Sequence, residues 1–533
     1  MTTNPLPGHR LPFPARLNPL RALLPELLAI LEGGREREWY AFVWLEETLV
    51  RGAVCARLES CSQETDRGVV FRIQAGGTHY EHATNRLIPA GLRAEARAFR
   101  ARVEAAWAAR PAPGAAAPYR PRPWPEELAH PLPCELRSQI PGTPAAGDWV
   151  HFSPRCLRDP RRTTLATLRR LAAQTRGRVL AEAARFRAEP GHAGYPELGE
   201  VRVAARQTLH TQLFADRERR LSQCLPVSLL YAMGVSAAGT SGRAILGGLG
   251  GLEIAALGEE GLREAAVVPL LLARAERLTP GHYTVITGPD VTGVIAHEAF
   301  GHTQEGDTWM KGRSIAEGLR RDGVRVGNDH ASIINHPGVF SMDHKPFGTN
   351  GSLFFDHEGE LARPQTLLDR GWLGAPMTDL AAAQALGVPR SANGKRESWR
   401  RPLMTRQTNT YFTPGDATLE QLIARVPRGF IARHAHGGME DPKGGSLTAG
   451  TEYLEEIVDG RLTGRLFLGP AGGHIELSDP VFDLLARIGG KTATAHPDQV
   501  PDNKYGGCGK YHKESVDAGC GGPWILWESV TCG

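Results

Sequence analysis

The stretch from Val291 to Asp307, VTGVIAHEAFGHTQEGD, constrains the chain most strongly. An apolar run, Val294, Ile295 and Ala296, leads into His297, Glu298 and His302. Imidazole nitrogens suit zinc, and a carboxylate beside the first histidine can take a proton from a water that the metal activates. The spacing conflicts with a regular helix. Histidines four apart lie about 40° from eclipsed, whereas histidines five apart diverge by roughly 140°. A one-residue π-bulge restores a shared face, and Gly301 makes that distortion, or a helix end, easy. Glu305 and Asp307 then become candidates for accepting a ring N–H or for ligating the metal themselves. A catalytic zinc site commonly has three protein ligands and one position left for water. The third ligand could be Glu305, Asp307, a distant histidine or a cysteine.

HEAFGHTQEGD resembles the signature of the TldD/PmbA family of zinc peptidases, also described as modulators of DNA gyrase. Further blocks resemble the family in the same order: FFDHEGE at Phe354 to Glu360, the run from Asn393 to Asp416, GGMEDPKGG at Gly437 to Gly445, and GGCGK at Gly506 to Lys510. The resemblance covers nearly the whole chain and is strongest from about Pro280 onward. It implies Zn2+ as cofactor, held by His297, His302 and Cys508, with Glu298 as general base; His512 is the rival to Cys508 as third ligand. It also implies a chamber between two subunits. The expected substrates are therefore small or unfolded peptides, and the expected assembly is a homodimer or a heterodimer with a related chain. In the family the 391–416 block lies by the active site, which makes Arg406 and Asn409 candidates for facing substrate; structural ion pairs are the competing role for its arginines. Partner-type members lack the two histidines and the glutamate, all present here. Their presence disfavours the alternative, a non-catalytic partner or regulatory subunit, and zinc-dependent deamidation or deacylation would use the same residues. After Lys510 the chain departs from the family, and Cys520 and Cys532 leave open an oxidation-sensitive site or a metal held differently from the family pattern.

At 533 residues the chain is too long for one ordinary core. The predicted class is α+β: an N-terminal domain over 1–110, a proline-rich linker over 111–150, a middle α+β domain over 151–275, and a β-rich catalytic domain over 276–533 carrying the metal-binding helix. A net charge of +4 with interspersed signs argues against direct nucleic-acid binding. The N-terminal residues lack the apolar core of a signal peptide, and the run Leu20 to Leu31 is interrupted by Arg21, Pro25 and Glu26. A cytoplasmic protein without a membrane span is expected. The 8 cysteines are too sparse for a secreted scaffold and read mostly as buried reduced thiols.

In chain order, leucines on a 3.6-residue period predict a helix over Asn18 to Glu32, stopped by Gly33-Gly34. Strands follow at Trp39 to Leu45, Thr48 to Glu59, Gly68 to Ala75 and near His79 to His82, then a helix over Leu92 to Ala109. Beyond the linker come a helix over Arg161 to Glu189 and strands at Glu200 to Thr208, His210 to Arg217 and Cys224 to Gly234, which suit an antiparallel sheet. Gly247, Gly248, Gly250 and Gly251 read as a flexible turn rather than a dinucleotide loop. A helix over Glu259 to Leu278 and a strand over His282 to Thr287 lead into the motif. Asp356, His357 and Glu358 fit a hairpin turn with solvated charges or a site. A hairpin at Thr366 to Arg370 and a short helix at Thr378 to Leu386 follow. His434 and His436 read as structural or substrate-contacting.

Overall fold

The computed structural model of the chain describes residues 8–109, 118–340, 348–493, 501–504, 507–510 and 514–533. It is an α+β structure, as the sequence predicts. The first helix spans Asn18–Glu32 and buries Leu20, Leu23, Leu24, Leu27, Leu28 and Leu31. It ends at Gly33, whose φ of 49° is left-handed and stops the helix at little cost.

Several short strand signals merge. Strands β1 (Trp39–Cys55) and β2 (Glu59–Ala75) each run for 17 residues. The break expected near Glu46 and Glu47 is absent because both carboxylates are buried and partnered. Glu47 pairs with Arg16 and Arg67, while Glu46 accepts from the Trp399 backbone N–H at 3.0 Å. β3 (Thr78–Thr84), β4 (Trp149–Phe152), β5 (Leu198–Ala215), β6 (Arg220–Ser236) and β7 (Ser241–Leu249) complete one sheet. Its order is β3-β2-β1-β5-β6, with β4 and β7 both paired to β6. The segments expected to form two units, 1–110 and 151–275, therefore share a sheet.

Three local expectations change. Gly247 and Gly248 are in β7 rather than in a turn, with φ of 131° and 142°. A Cβ on Gly247 would run into the Ser228 carbonyl of β6, so glycine there permits close strand approach. The described part of the proline-rich stretch is packed rather than free: Trp124, Leu136 and Ile140 are buried in a core shared with β1 and β6. Residues 110–117 of that stretch lie outside the described residues. The helix expected over Glu259 to Leu278 divides into Glu259–Ala266 and Val268–Leu272, because Pro269 cannot supply a helical N–H.

The C-terminal half is built on five strands: β8 (Gly281–Thr287), β9 (Arg428–Asp441), β10 (Ser446–Val458), β11 (Ile475–Pro480) and β12 (Ile525–Cys532). The pairings β10-β9-β8-β12-β11, with β11 returning to β10, close them into a ring. A second, six-stranded sheet includes Ile333–Asn335, Gln365–Asp369, Asn409–Phe412 and Gly519–Gly521. The motif segment is clamped between the two. Val291, Val294, Ile295, Ala299 and Phe300 pack with Val285, Phe430 and Trp527 on one side and with Ile333, Leu368 and Phe412 on the other. Each large side chain so buried contributes about 1.5–3 kcal/mol.

Asp356, His357 and Glu358 are not solvated; they form a buried cluster against the N-terminal sheet. Glu358 pairs with Arg72 at 2.9 Å and with Arg390 at 3.5 Å, and His357 stacks on Trp44 with centroids 4.6 Å apart. The cluster and Glu46 join the two halves of the chain.

Burial pushes the Glu46 carboxyl from its ordinary 4.5 up to about 7, despite hydrogen bonds from Gln212 and Trp399. Between those values the folded chain binds a proton that the unfolded chain has released, so this group costs stability as pH rises from 4.5 to about 7. Glu46→Gln keeps an acceptor without the charge. It should gain about 1–3 kcal/mol over the parent at pH 8 and lose that gain at pH 5, measured by urea unfolding. A pH-independent difference would contradict burial as the cause.

Candidate metal centre

Residues Pro289–Val294 form a helical turn that widens into a π-helix over Ile295–Gly301, and His302 opens a 3-10 turn ending at Gln304. This is the distortion that the five-residue spacing requires. Gln407 supports it: its Nε2 donates to the His297 carbonyl at 3.0 Å, and a Cβ on Gly301 would collide with the same side chain. The two imidazole rings meet edge to face, with centroids 5.0 Å apart.

Cys508 joins them from more than 200 residues away. Its Sγ is 3.5 Å from His302 Nε2, and ligand atoms of His297, His302 and Cys508 all lie within 4.8 Å of one another. All three residues are buried. The cysteine is presented by a short bridge to Val516, with hydrogen bonds of 2.9 and 3.1 Å in the two directions. Arg406 donates to the carbonyl of Cys508 and, at 2.9 Å, to that of Glu514.

The two residues expected to face substrate therefore have other roles. Arg406 is buried and fastens the loop that carries Cys508. Asn409 is fully buried, donating to the His336 carbonyl at 2.7 Å and to Ser352 at 3.0 Å. A polar block framed by strands satisfies the backbone around it. Glu305 Oε2 lies 3.1 Å from His302 Nδ1. That contact leaves His302 Nε2 facing Cys508. Asp307 touches neither ring; it accepts from Lys510 at 2.5 Å, and Lys510 also pairs with Glu305 at 2.8 Å. His434 and His436 are engaged elsewhere, with Glu264 at 2.9 Å and Glu452 at 2.8 Å. His512 lies outside the described residues.

The protonation pattern suits a cation. Burial, reinforced by the nearby Lys504 ammonium, holds His297 well below the usual imidazole range, so it is neutral. Both of its ring nitrogens are buried and have no hydrogen-bond partner among the described residues. Leaving a buried polar atom unsatisfied costs about 1–3 kcal/mol, and a metal ion on one nitrogen would remove that cost. Burial would raise the Cys508 thiol, but the His302 ring and the Arg406 guanidinium outweigh it and bring it down to about 7. Burial would likewise raise Glu305, but Lys510 and His302 lower it to about 2. His302 is held above its usual range, against burial, by Cys508 and Glu305, so a metal would displace its proton. Two imidazoles and a thiolate form a donor set that zinc accepts, and the three residues fit it.

Glu298 stands beside this group. Its Oε1 is 2.7 Å from Lys504 Nζ and its Oε2 is 3.6 Å from His302 Nε2. Gly438 of β9 covers it closely, since a Cβ there would lie 2.9 Å from Glu298 Cγ. On the same strand Glu440 has a buried Oε2 without a hydrogen-bond partner among the described residues, and burial keeps its carboxyl well above the usual range. Gln407, Glu440 and Lys504 escape a reading of the sequence. The first two lie within the quoted blocks, but Lys504 belongs to no motif.

Residues 280–531 match the PmbA/TldA metallopeptidase C-terminal domain. By this match the C-terminal region of the chain, residues 280–531, belongs to the TldD/PmbA family. Curated relatives include a metalloprotease of Methanothermobacter thermautotrophicus, 28% identical over 54% of this chain and 58% of its own length. Another is a TldD homologue of Haemophilus influenzae, 30% identical over 52% of each chain. A zinc metalloprotease TldD homologue of Saccharolobus solfataricus is 32% identical over 31% of this chain and 35% of its own. The chain thus spans about half the length of the first curated relatives it matches. The whole-chain likeness is one of fold. A candidate DNA gyrase modulator from Thermotoga maritima superimposes with a TM-score of 0.66 at 16% identity, over 96% of this chain and 100% of that one. TldE from Thermococcus kodakarensis does so with a TM-score of 0.66 at 13% identity, over the same shares. Among the described residues no helix is long and apolar enough to cross a membrane.

Glu305→Ala should weaken zinc binding about 10–100-fold, because nothing else among the described residues then holds the His302 ring by Nδ1. Competition with a chromophoric chelator measures this, and an unchanged affinity would contradict the role given to Glu305.

Proposed function

We propose that the chain is a zinc-dependent metallopeptidase acting on small or unfolded peptides, with Glu298 as general base. The observation that carries the reading is the buried convergence of His297, His302 and Cys508, next to a glutamate that follows the first ligand. A zinc ion held by these three residues would supply a Lewis acid that polarises the scissile carbonyl. Glu298 then takes a proton from the attacking water and returns it to the amine that leaves. Glu305 holds the His302 ring through Nδ1, and Lys510 keeps Glu305 ionised. Burial of the group under β9 favours extended or small substrates over folded ones.

Cysteines without disulfides among the described residues support a cytoplasmic setting. The TldE-like fold supports assembly with a second copy or a related chain. That fold also suits a non-catalytic partner or regulator, but the intact ligand set and base favour catalysis.

Glu298→Gln should retain one zinc per chain by elemental analysis and lose peptide hydrolysis by about 10²–10⁴-fold. A chelator should abolish activity in the parent, and added zinc should restore it. Hydrolysis at the parental rate in this variant would remove Glu298 as the base.

A further inference from the structure

Glu298 stands at an ambiguous distance from the metal centre. Two atoms bound tetrahedrally to one zinc, each at about 2.0–2.3 Å from it, are roughly 3.3–3.7 Å apart. Cys508 Sγ meets this with respect to His302 Nε2, at 3.5 Å, and so does Glu298 Oε2, at 3.6 Å. That one distance brings the carboxylate close enough to swing onto the metal, although it lies outside the set of His297, His302 and Cys508, whose ligand atoms are all within 4.8 Å of one another. If bound, it would fill the position a catalytic site leaves for water.

The other carboxylate oxygen is already taken. Lys504 Nζ is 2.7 Å from Glu298 Oε1 and donates to the Gly507 carbonyl at 3.0 Å, one residue before Cys508. A single ammonium therefore ties the carboxylate to the loop that brings the thiolate. Gly438 closes the remaining space over Glu298 Cγ. Lys504 is itself anchored through its backbone N–H to the Ala518 carbonyl at 2.9 Å.

We propose that Lys504 is a positioning residue: by holding Oε1, it keeps Glu298 beside the metal as a base and prevents it from closing on the metal as a ligand. This rests on the peptidase reading for its catalytic consequence, but not for its effect on zinc binding. Zinc affinity is therefore compared in the parent, Lys504→Met, Glu298→Gln and the double variant, with kcat and KM for a quenched peptide measured alongside. Lys504→Met should bind zinc about tenfold more tightly, and that gain should vanish in the E298Q background, as for a directly coupled pair. Its kcat should fall about 100-fold with KM little changed. Lys504→Arg should return both quantities towards the parent. A cobalt-substituted K504M protein should lose the spectral response to acetohydroxamate that the parent gives, because the open position is closed.

Zinc binding that weakens in K504M would make Lys504 a strap for the Cys508 loop and overturn the proposal. An equal gain in the E298Q background would do the same, since removal of a repelling charge would then explain it. If the parent binds zinc but cleaves no peptide, the peptidase reading fails, and the affinity cycle and cobalt spectra still decide the role of Lys504.

Discussion

Two histidines five residues apart can address one ion only if the helix between them takes an extra residue into its turn. Such a widened turn is rare and occurs mostly as a single turn inside a helix, frequently at functional sites. Here Gln407 reaches across from the neighbouring block, through the space that the missing Cβ of Gly301 leaves, and donates to the His297 carbonyl. The apolar face of the same segment is wedged between the five-stranded ring and the second sheet. Placing Gly293 against the backbone of Gly521 brings the motif and the C-terminal segment into direct contact. The fold of the C-terminal half can thus be understood as the means of keeping one irregular turn rigid.

Charge is arranged around that turn in compensating pairs. Lys510 and His302 together ionise Glu305, Arg406 lies on the carbonyl side of the thiol, and Lys504 faces Glu298. His297 is neutral, buried and unpartnered among the described residues, so the protein alone leaves a cost unmet at both of its ring nitrogens, as it does at Glu440 Oε2. The same principle operates at the join between the halves, where Arg72 and Arg390 compensate Glu358. Breaking either member of such a pair exposes the desolvation cost of the other.

Much of this was legible in the sequence where a local rule dominates. The leucine period placed the first helix, and the histidine spacing called for a π-helical turn. Glu305 was legible as a candidate, beside Asp307, because a histidine that held a metal through one nitrogen would need an acceptor for the other. Other features depend on contacts distant in the chain. Glu46 and Glu47 looked like a strand break until Trp399, Arg16 and Arg67 supplied partners. Arg406 and Asn409 looked available for a substrate because backbone carbonyls, the groups they bind, have no sequence signature. Lys504 could not be singled out, since only the fold brings it to Glu298.

The central claim is that a thiolate and two imidazoles share one ion. X-ray absorption at the zinc edge of the metal-loaded protein tests it most directly. One sulfur neighbour at about 2.3 Å and two imidazole nitrogens at about 2.0–2.1 Å are expected, with the sulfur shell lost in Cys508→Ser. A first shell of nitrogen and oxygen alone in the parent protein would contradict the claim.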